Sequence, residues 1–387
     1  MPDAPVIRLD EPGSFARDVF HRRHPVLIRQ VLDALPYGPA ERAALERLLA
    51  ESTTGVLEPP GPGAPDRAEW LTWGQGLWGT RWESAPFLWA ESWFYRRLLD
   101  ATGFTGPGAR QGVDPFGPLK AAELAGPAVD EELAALDRLP GLPEAQRRAA
   151  LLSSALWGNR ADLSFGLTAA PDGGRGELLA DDGALLWQWL ERHPGGRVCL
   201  LADNAGRELL PDLVLADHLL AAGPAAAVDL FVKPQPWFVS DATAADVFAA
   251  LARLREAPGE QAAAVGGRLW RAVGDGRLAV RTHPFLCAPL PFHDLPGDLR
   301  ARLAGASLTI VKGDLNYRRL VGDRRWPPTT PFARAAGHFP SAVAALRTLK
   351  SEVVVGLDGA RVAELDRGGE AWRTGGGYAV VQFRPQG

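Results

Sequence analysis

The chain is poor in several residue types, and each scarcity excludes a class of protein. Its 387 residues contain only two cysteines, and no stretch of 18 apolar residues runs without a charge. Cys199 and Cys287 belong to no paired CxxC motif, so we expect buried free thiols. A membrane span needs a longer apolar run, and a secretory signal needs a basic start followed by an apolar segment. We therefore expect a cytoplasmic protein with no membrane partner.

Positive charge is not concentrated in any tract of the chain. Lysine and arginine total 42 against 46 aspartates and glutamates, which gives a net charge of −4 and a pI near 6.0. A nucleic-acid-binding protein normally carries a basic patch, so the composition argues against a nucleic-acid partner and favours a small molecule. Hydrophobic residues make up 46% of the chain, which is enough for a sizeable core in one large domain or a few smaller ones. The oligomeric state stays open.

The apolar pattern changes along the chain. Helical spacing between loops rich in proline and glycine predicts a mostly α-helical N-terminal domain over residues 1–190. From Arg197 onward, short β-branched or apolar runs alternate with helical patterns, which predicts a largely parallel sheet covered on both faces within residues 191–387. Predicted strands cover residues 198–202, 227–232, 278–281, 307–312, 353–357 and 378–383. Predicted helices cover residues 40–49, 82–99, 129–139, 143–156, 183–193, 209–222, 244–256 and 341–349.

Two polar residue types are so rare that their positions are informative. Of the 42 basic residues only four are lysines, and the chain has only three asparagines. Most of them lie in short polar segments or near the ends of predicted strands, where chemistry is expected. They are Lys120, Lys233, Lys312, Lys350, Asn159, Asn204 and Asn316.

The first polar segment follows the predicted strand at residues 198–202. Asp203 and Asn204 come directly after it. In open α/β sheets ligands bind outside the carboxyl ends of the strands, so these side chains would project into that crevice. The helix predicted to begin near Glu208 would add free N–H groups able to face an anion. The alternative is that Asp203 or Asn204 merely caps this helix.

A second polar segment follows the strand at residues 227–232. It contains Lys233 and, after two prolines, Asp241. Asp241 with Asp203 and Asn204 would form an all-oxygen site, which suits Mg²⁺ or Mn²⁺ better than Zn²⁺. No HExxH motif or Cys/His cluster offers a competing metal site. The alternative is that Asp241 caps the next helix.

A third segment follows the strand at residues 307–312. It presents Asp314, Asn316 and Arg318 within a few residues, which would combine donors for a phosphate with acceptors for hydroxyl groups. A solvated charged turn is the alternative.

Lys350 ends a fourth segment, the helix predicted at residues 341–349. A compact ammonium group suits a phosphate, although a lysine there would also complement the helix dipole. Together the four segments supply what phosphoryl transfer requires, because that reaction is catalysed mainly by positioning and charge neutralisation.

The same four segments, in this order, resemble the damage-control phosphatase family (domain of unknown function 89), and more narrowly its Arg-Thr-x-Lys subfamily. The segments are Ala202-Asp-Asn-Ala-Gly-Arg-Glu208, Val232-Lys-Pro-Gln-Pro-Trp-Phe-Val-Ser-Asp241, Lys312-Gly-Asp-Leu-Asn-Tyr-Arg318 and Arg347-Thr-Leu-Lys350. Weaker matches lie at residues 91–96, 114–120 and 156–164. The resemblance covers about residues 70–357, and the first 65 residues match least.

The resemblance implies a helical N-terminal part, a three-layer α/β/α sandwich and a metal-dependent phosphatase in metabolite damage control. Its substrates would be small sugar phosphates such as fructose 1-phosphate and fructose 6-phosphate. It implies Asp203, Asn204 and Asp241 as ligands of Mn²⁺, Co²⁺ or Ni²⁺, with Mg²⁺ also possible. It further implies that the substrate is held by Glu208, Asp314, Leu315, Asn316, Tyr317, Arg318 and Lys350.

This resemblance leads to the following expected mechanism. The metal polarises a phosphoryl oxygen, and Arg318 and Lys350 share the developing charge. Either metal-bound water or Asp203 attacks in line. One alternative function is an S-adenosylmethionine-dependent protein carboxyl (glutamate) methyltransferase. That class normally needs a glycine-rich turn after its first strand, whereas the glycine clusters here are predicted in loops far from such a turn. Another is a non-catalytic sugar-phosphate binding module, which would not need all three metal ligands.

Overall fold

The structure, a computed structural model, describes residues 4–158 and 176–386, and these residues form one sheet of seven strands. The strands lie in the order β1-β7-β6-β5-β2-β3-β4, and every neighbouring pair is parallel except β6 and β7. Their bounds are β1 (Glu177–Asp181), β2 (Gly196–Leu201), β3 (Ala225–Phe231), β4 (Leu278–Arg281), β5 (Leu308–Lys312), β6 (Val343–Thr348) and β7 (Tyr378–Arg384).

Helices pack on both faces of this sheet. A π-helical segment, Val19–Arg23, joins the first two of them. None of the helices in the described part has the length and apolar character that crossing a membrane requires. Their bounds are α1 (Phe15–Asp18), α2 (His24–Ala34), α3 (Pro39–Thr54), α4 (Arg67–Trp73), α5 (Phe87–Ala101), α6 (Gly117–Leu124), α7 (Pro127–Ala135), α8 (Glu144–Trp157), α9 (Gly183–Arg192), α10 (Leu209–Ala221), α11 (Ala244–Arg255), α12 (Glu260–Gly274), α13 (Gly297–Ala304), α14 (Gly313–Val321), α15 (Phe332–Ala335) and α16 (Gly359–Asp366).

Alternate side chains of each central strand enter two different cores. In β2, Cys199 and Leu201 belong to one hydrophobic cluster, while Val198 and Leu200 belong to the other. The first cluster is closed by helices that include α2, α3, α5 and α14, and the second by helices that include α8, α10, α11 and α12. Parallel strands covered on both faces are apolar throughout, which is why their sequences are continuous apolar runs. The predicted three-layer α/β/α sandwich is confirmed.

The helical character of the N-terminal half is present, but this half also contributes to the sheet. β1 precedes residue 190 and pairs with β7 at one edge. Neither β1 nor α12 was predicted. The division of the chain at residue 190 stays a prediction. Cys199 and Cys287 are both buried and free, as expected.

One predicted helix and one predicted strand are wrong. Residues 341–349, predicted as a helix, contain strand β6, which lies between β5 and β7 with residues on both faces buried. A short run that is apolar on every side does not distinguish a buried strand from a buried helix. Residues 353–357, predicted as a strand, pair with no strand. Instead Gly356 donates its backbone N–H to Thr330 (2.7 Å), and the buried hydroxyl of Tyr317 accepts from Val355 (3.3 Å).

Candidate active site at the carboxyl edge of the sheet

Four neighbouring strands, in the order β6-β5-β2-β3, carry the four predicted segments at their carboxyl ends. The chain runs from β2 outward to β3 and β4, then returns to the other side of β2 through β5 and β6. The crevice between β2 and β5 is therefore the topological switch point, where open α/β sheets bind their ligands. Segments that are far apart in sequence meet there.

A cavity of about 570 Å³ opens at this edge. It is lined by seven of the ten residues predicted for the site, and the other three, Glu208, Asn316 and Tyr317, are not part of its lining. The seven are Asp203, Asn204, Asp241, Asp314, Leu315, Arg318 and Lys350.

The three predicted metal ligands are joined by backbone pairing. Asn204 and Asp241 form an isolated antiparallel bridge, and the carbonyl of Asp203 accepts from Ala242 N–H at 2.8 Å. The side-chain amide of Asn204 donates to Asp203 Oδ2 (3.1 Å), and its Oδ1 accepts from Ser240 Oγ (2.6 Å). The ends of β2 and β3 therefore hold these three residues together.

The alternative roles as helix caps do not apply to these residues. α11 begins with a capping box in which Thr243 and Asp246 bind each other's backbone N–H groups, so Asp241 is not its cap. α10 and the single 3-10 turn before it have no side-chain cap bond, so Asp203 and Asn204 do not cap them. The polar side chains at these strand ends are therefore available for another role.

Negative charge on this side of the cavity is only partly balanced. Burial raises the pKa of Asp203 well above its usual value, and the charges of Asp241 and Glu208 raise it further. Burial also raises the pKa of Asp241, although Lys233 opposes the shift. Asp241 Oδ2 is buried and accepts no hydrogen bond of regular geometry, and it forms an ion pair with Lys233 Nζ at 3.3 Å. Two crowded carboxylates with an unfilled acceptor are what a divalent cation would relieve.

The chain leaves space beside Asp203 by placing a glycine opposite it. Gly313, the first residue after β5, has φ +80°, and a Cβ there would lie 1.9 Å from Asp203 Oδ2. A side chain at this position would displace the carboxylate. Within residues 4–158 and 176–386, no three or more His, Cys, Asp or Glu side chains form a group that could hold one ion. The candidate donors here are two carboxylates and an amide.

Asp314, at the start of α14, is held ionised by its neighbours. Its Oδ1 accepts from Arg347 Nε (2.8 Å), Ser351 Oγ (3.0 Å) and the backbone N–H of Lys350 (3.3 Å). Burial alone would raise its pKa, but the charges of Arg347 and Arg318 lower it below its usual value. Arg347 is fully buried and was not predicted as a site residue. It fixes the turn that carries Lys350.

Arg318 is clamped by two carboxylates. Its Nε donates to Asp323 Oδ1 (2.7 Å), and one terminal nitrogen donates to Asp323 Oδ2 (3.1 Å). The other terminal nitrogen donates to Glu91 Oε2 (2.9 Å), and the guanidinium lies over the ring of Phe87 at 4.3 Å. Burial raises the pKa of Glu91 to about 7, although the charge of Arg318 opposes the shift. Arg319 and Asp323, for which a solvated charged turn was the alternative, are buried together with Arg318, so that alternative does not apply to them.

Lys350 follows strand β6, not a helix, so the helix-dipole alternative does not apply. Its side chain is half exposed, and Nζ lies 3.8 Å from Glu208 Oε1. Glu208 Oε2 in turn accepts from the side-chain amide of Asn204 at 2.7 Å. Glu208 therefore borders the site and connects Asn204, a predicted metal ligand, to Lys350.

Asn316 and Tyr317 lie behind the cavity wall. Asn316 is buried and donates to the carbonyls of Ala202 (3.0 Å) and Lys312 (2.9 Å), which ties the end of β2 to the end of β5. Tyr317 is fully buried and donates to Gln382 Oε1 at 2.9 Å. These contacts are structural, and the predicted substrate contacts of both residues stay predictions.

Three of the four lysines are buried supports of the site. Lys233 is 3.5 Å from Asn316 Oδ1, and Lys312 pairs with Asp212 at 2.5 Å. Lys120, in α6, donates to the backbone carbonyl of Asp241 and to Asp246, each at 3.0 Å. Lys120 therefore joins the N-terminal half to the side of the cavity that carries Asp241. One further rare residue, Asn159, lies outside the described residues.

The turn between Lys233 and Asp241 is strained. Phe238 has φ 42° and Val239 has φ 68°, a left-handed backbone that side chains rarely adopt. Each such residue costs about 1–3 kcal/mol, and strain of this kind clusters at functional sites. Both residues line the cavity.

Several lining residues carried no signal for the site in the sequence. Phe15, Val19, Arg22 and Arg23 reach the cavity from the first 65 residues, which matched the family motifs least. Glu91 and Tyr95, in α5, belong to the weaker match at residues 91–96, which could have identified them.

The chain resembles known proteins in sequence. The family model described as the damage-control phosphatase ARMT1-like domain matches residues 19–365, so the match extends further towards the N-terminus than the motifs do. Similar curated proteins are each named damage-control phosphatase ARMT1. The zebrafish (Danio rerio) protein is 32% identical over 334 residues, covering 78% of this chain and 74% of the relative. The mouse (Mus musculus) protein is 34% identical over 341 residues, covering 78% of this chain and 75% of the relative. The human (Homo sapiens) protein is 31% identical over 334 residues, covering 79% of this chain and 75% of the relative.

The structure was also compared with solved structures. A crystal structure of a DUF89 family protein from Pyrococcus horikoshii has a TM-score of 0.48 and 17% sequence identity, and the alignment covers 90% of this chain and 94% of that chain.

Proposed function

Because the chain belongs to the damage-control phosphatase family with an ARMT1-like domain, we propose that it is a metal-dependent phosphatase that hydrolyses small sugar phosphates such as fructose 1-phosphate and fructose 6-phosphate. One observation carries the proposal. Asp203, Asn204 and Asp241 line the same cavity as Arg318 and Lys350. Oxygen ligands for a cation thus face cationic groups for a phosphate.

The donor set supports a divalent cation held by Asp203, Asn204 and Asp241. The unfilled acceptor of Asp241 and the mutual repulsion of the two carboxylates both favour a bound cation. All three donors are oxygen atoms, which suits Mn²⁺ or Mg²⁺, and Co²⁺ and Ni²⁺ are further candidates. When bound, such an ion would polarise a phosphoryl oxygen.

The remaining residues would position the phosphoryl group. Lys350 is half exposed at the cavity and offers a compact ammonium group. Arg318 is fixed by Asp323 and Glu91, so its guanidinium is pre-oriented and costs little reorganisation when charge develops on the phosphoryl oxygens. The attacking group is water or the carboxylate of Asp203, in line with the departing sugar oxygen.

The test is phosphate release from a panel of sugar phosphates, with and without Mn²⁺, by wild type and Asp203→Ala. We expect metal-dependent release by wild type and a loss of about 10³-fold, roughly 4 kcal/mol of transition-state stabilisation, in the variant. Asp275→Ala is the control, because Asp275 is an exposed residue paired with Arg277 in the turn before β4. Absence of metal-dependent release from every substrate, or undiminished release by Asp203→Ala, would contradict the proposal. Transfer of labelled methyl groups from S-adenosylmethionine to protein carboxylates would instead support a methyltransferase.

A further inference from the structure

The turn at Phe238 and Val239 departs from a pattern that the described residues otherwise keep. In residues 4–158 and 176–386, every other residue with a positive φ is a glycine, and the chain has 43 glycines available. A glycine at either position would adopt the left-handed backbone without steric cost. An aromatic and a β-branched side chain at this turn therefore indicate that the side chains themselves are needed.

Both side chains form part of the cavity wall. Phe238 stacks on Tyr95 of α5, with ring centroids 4.5 Å apart and planes inclined by 26°. Trp237 is buried and packs against both rings, at 6.1 Å from Phe238 and 6.5 Å from Tyr95. Tyr95 and Val239 line the cavity beside Phe238. The result is an aromatic wall supported by a second aromatic layer.

The hydrogen bonds of the turn fix this wall relative to the metal ligands. Ser240 N–H donates to the carbonyl of Phe238 (2.8 Å), and Asp241 N–H donates to the carbonyl of Trp237 (3.1 Å). Ala205 N–H donates to the carbonyl of Ser240 at 2.7 Å, which joins the turn to the end of β2. The backbone conformation that orients Phe238 therefore also sets the position of Asp241.

The two kinds of wall suit two parts of one ligand. Arg318, Lys350 and the carboxylates interact with a phosphoryl group and a cation, whereas an aromatic face offers a phosphate no partner. An aromatic face instead buries the C–H face of a carbon skeleton. We infer that the Phe238–Tyr95 stack is a specificity-determining wall that contacts the sugar portion of a phosphorylated substrate. The identity of that substrate rests on the proposed function.

The test separates the two parts of the ligand. Binding is measured by calorimetry in Mn²⁺ for two ligands with the same headgroup, the phosphonate isostere of fructose 6-phosphate and methylphosphonate. A phosphatase does not cut their C–P bonds, so binding is measured without turnover. The variant is Phe238→Gly, because glycine keeps the left-handed turn and removes only the ring. Phe238→Tyr, which keeps the ring, is the matched control.

We expect Phe238→Gly to weaken binding of the sugar phosphonate by about tenfold and to change methylphosphonate binding by less than about twofold. Phe238→Tyr should bind both ligands within about twofold of wild type. Equal weakening of both ligands, or no weakening of either, would overturn the inference, as would a wild-type protein that binds the two ligands equally well. Unfolding temperatures of the variants show whether the turn has been kept. Phosphate release is measured separately, so the proposed hydrolysis can fail while this binding contrast stands.

Discussion

The two sides of the cavity treat their carboxylates in opposite ways. At the ends of β2 and β3, the pKa values of Asp203 and Asp241 are raised, and one buried oxygen accepts no hydrogen bond. At the ends of β5 and β6, Asp314 accepts from Arg347 and Ser351, and its pKa is lowered. The charge of Asp314 is balanced by Arg347, whereas the two carboxyl groups on the other side are only partly balanced by Lys233. The same residue type therefore serves as scaffold on one side and as a candidate cation ligand on the other.

The largest expected effect is on the balanced side. Asp314→Asn would leave fully buried Arg347 without its charged partner. Removing one partner of a buried pair costs about 3–5 kcal/mol, so the free energy of unfolding should fall by that amount in urea titrations. Asp275→Asn, at an exposed pair, should leave the free energy of unfolding unchanged. A loss below about 1 kcal/mol for Asp314→Asn would show that the two sides do not differ in this way.

The next effect concerns Glu91, which faces Arg318 and lies near Asp323 and Asp314. Its pKa is about 7 in the folded protein against 4.5 as its ordinary value. Between these pH values the folded state keeps a proton that the unfolded state loses, so stability falls as pH rises through this window. The resulting change in the free energy of unfolding across this window is about 3 kcal/mol.

Glu91→Gln removes this titration. Urea titrations should therefore show similar stability for variant and wild type near pH 5, and a variant more stable by about 3 kcal/mol near pH 8. Identical pH dependence in the two proteins would show that Glu91 is not the group responsible.

The smallest expected effect is at the ends of β2 and β3, where the negative charge is only partly balanced. Asp203→Asn keeps the shape of the side chain beside Gly313 but removes a charge that Asp241 and Glu208 repel. The metal-free variant should be more stable than wild type, opposite in sign to Asp314→Asn. Thermal unfolding with a chelator measures the stability of the metal-free protein. Thermal unfolding with Mn²⁺ measures metal binding, because a bound ion stabilises the folded state. Wild type should gain stability from Mn²⁺ and the variant should not, and a variant that gains as much as wild type would remove Asp203 from the metal site.

The arrangement of the four segments could be predicted from the sequence. Three of them follow predicted strands, and the carboxyl ends of parallel strands meet at one edge, so Asp203, Asp241 and Asp314 were expected near one another. Lys350 was placed with them only by the family resemblance. The type of element before Lys350 could not be predicted. The residues of β6 are apolar on both faces, and periodicity does not separate such a strand from a buried helix.

The contact between the N-terminal half and the turn after β3 also could not be predicted from the sequence. Tyr95 lies within the weaker family match at residues 91–96, but only the packing of α5 against the turn after β3 places it on Phe238. The strain at Phe238 and Val239 was equally hidden, because no local preference favours a left-handed backbone for these residue types.

By itself, the sequence determined which polar residues lie at the strand ends and that the sheet is mostly parallel, because both follow from local patterns of apolar and polar side chains. Only the tertiary structure decided the state of those residues. It paired Asp314 with Arg347, left Asp241 Oδ2 without a hydrogen bond, and placed Tyr95 against Phe238. The physical reason is that charge balance, burial and aromatic contact depend on residues from other elements of the fold. A local sequence pattern does not show which of these residues become neighbours in the folded structure.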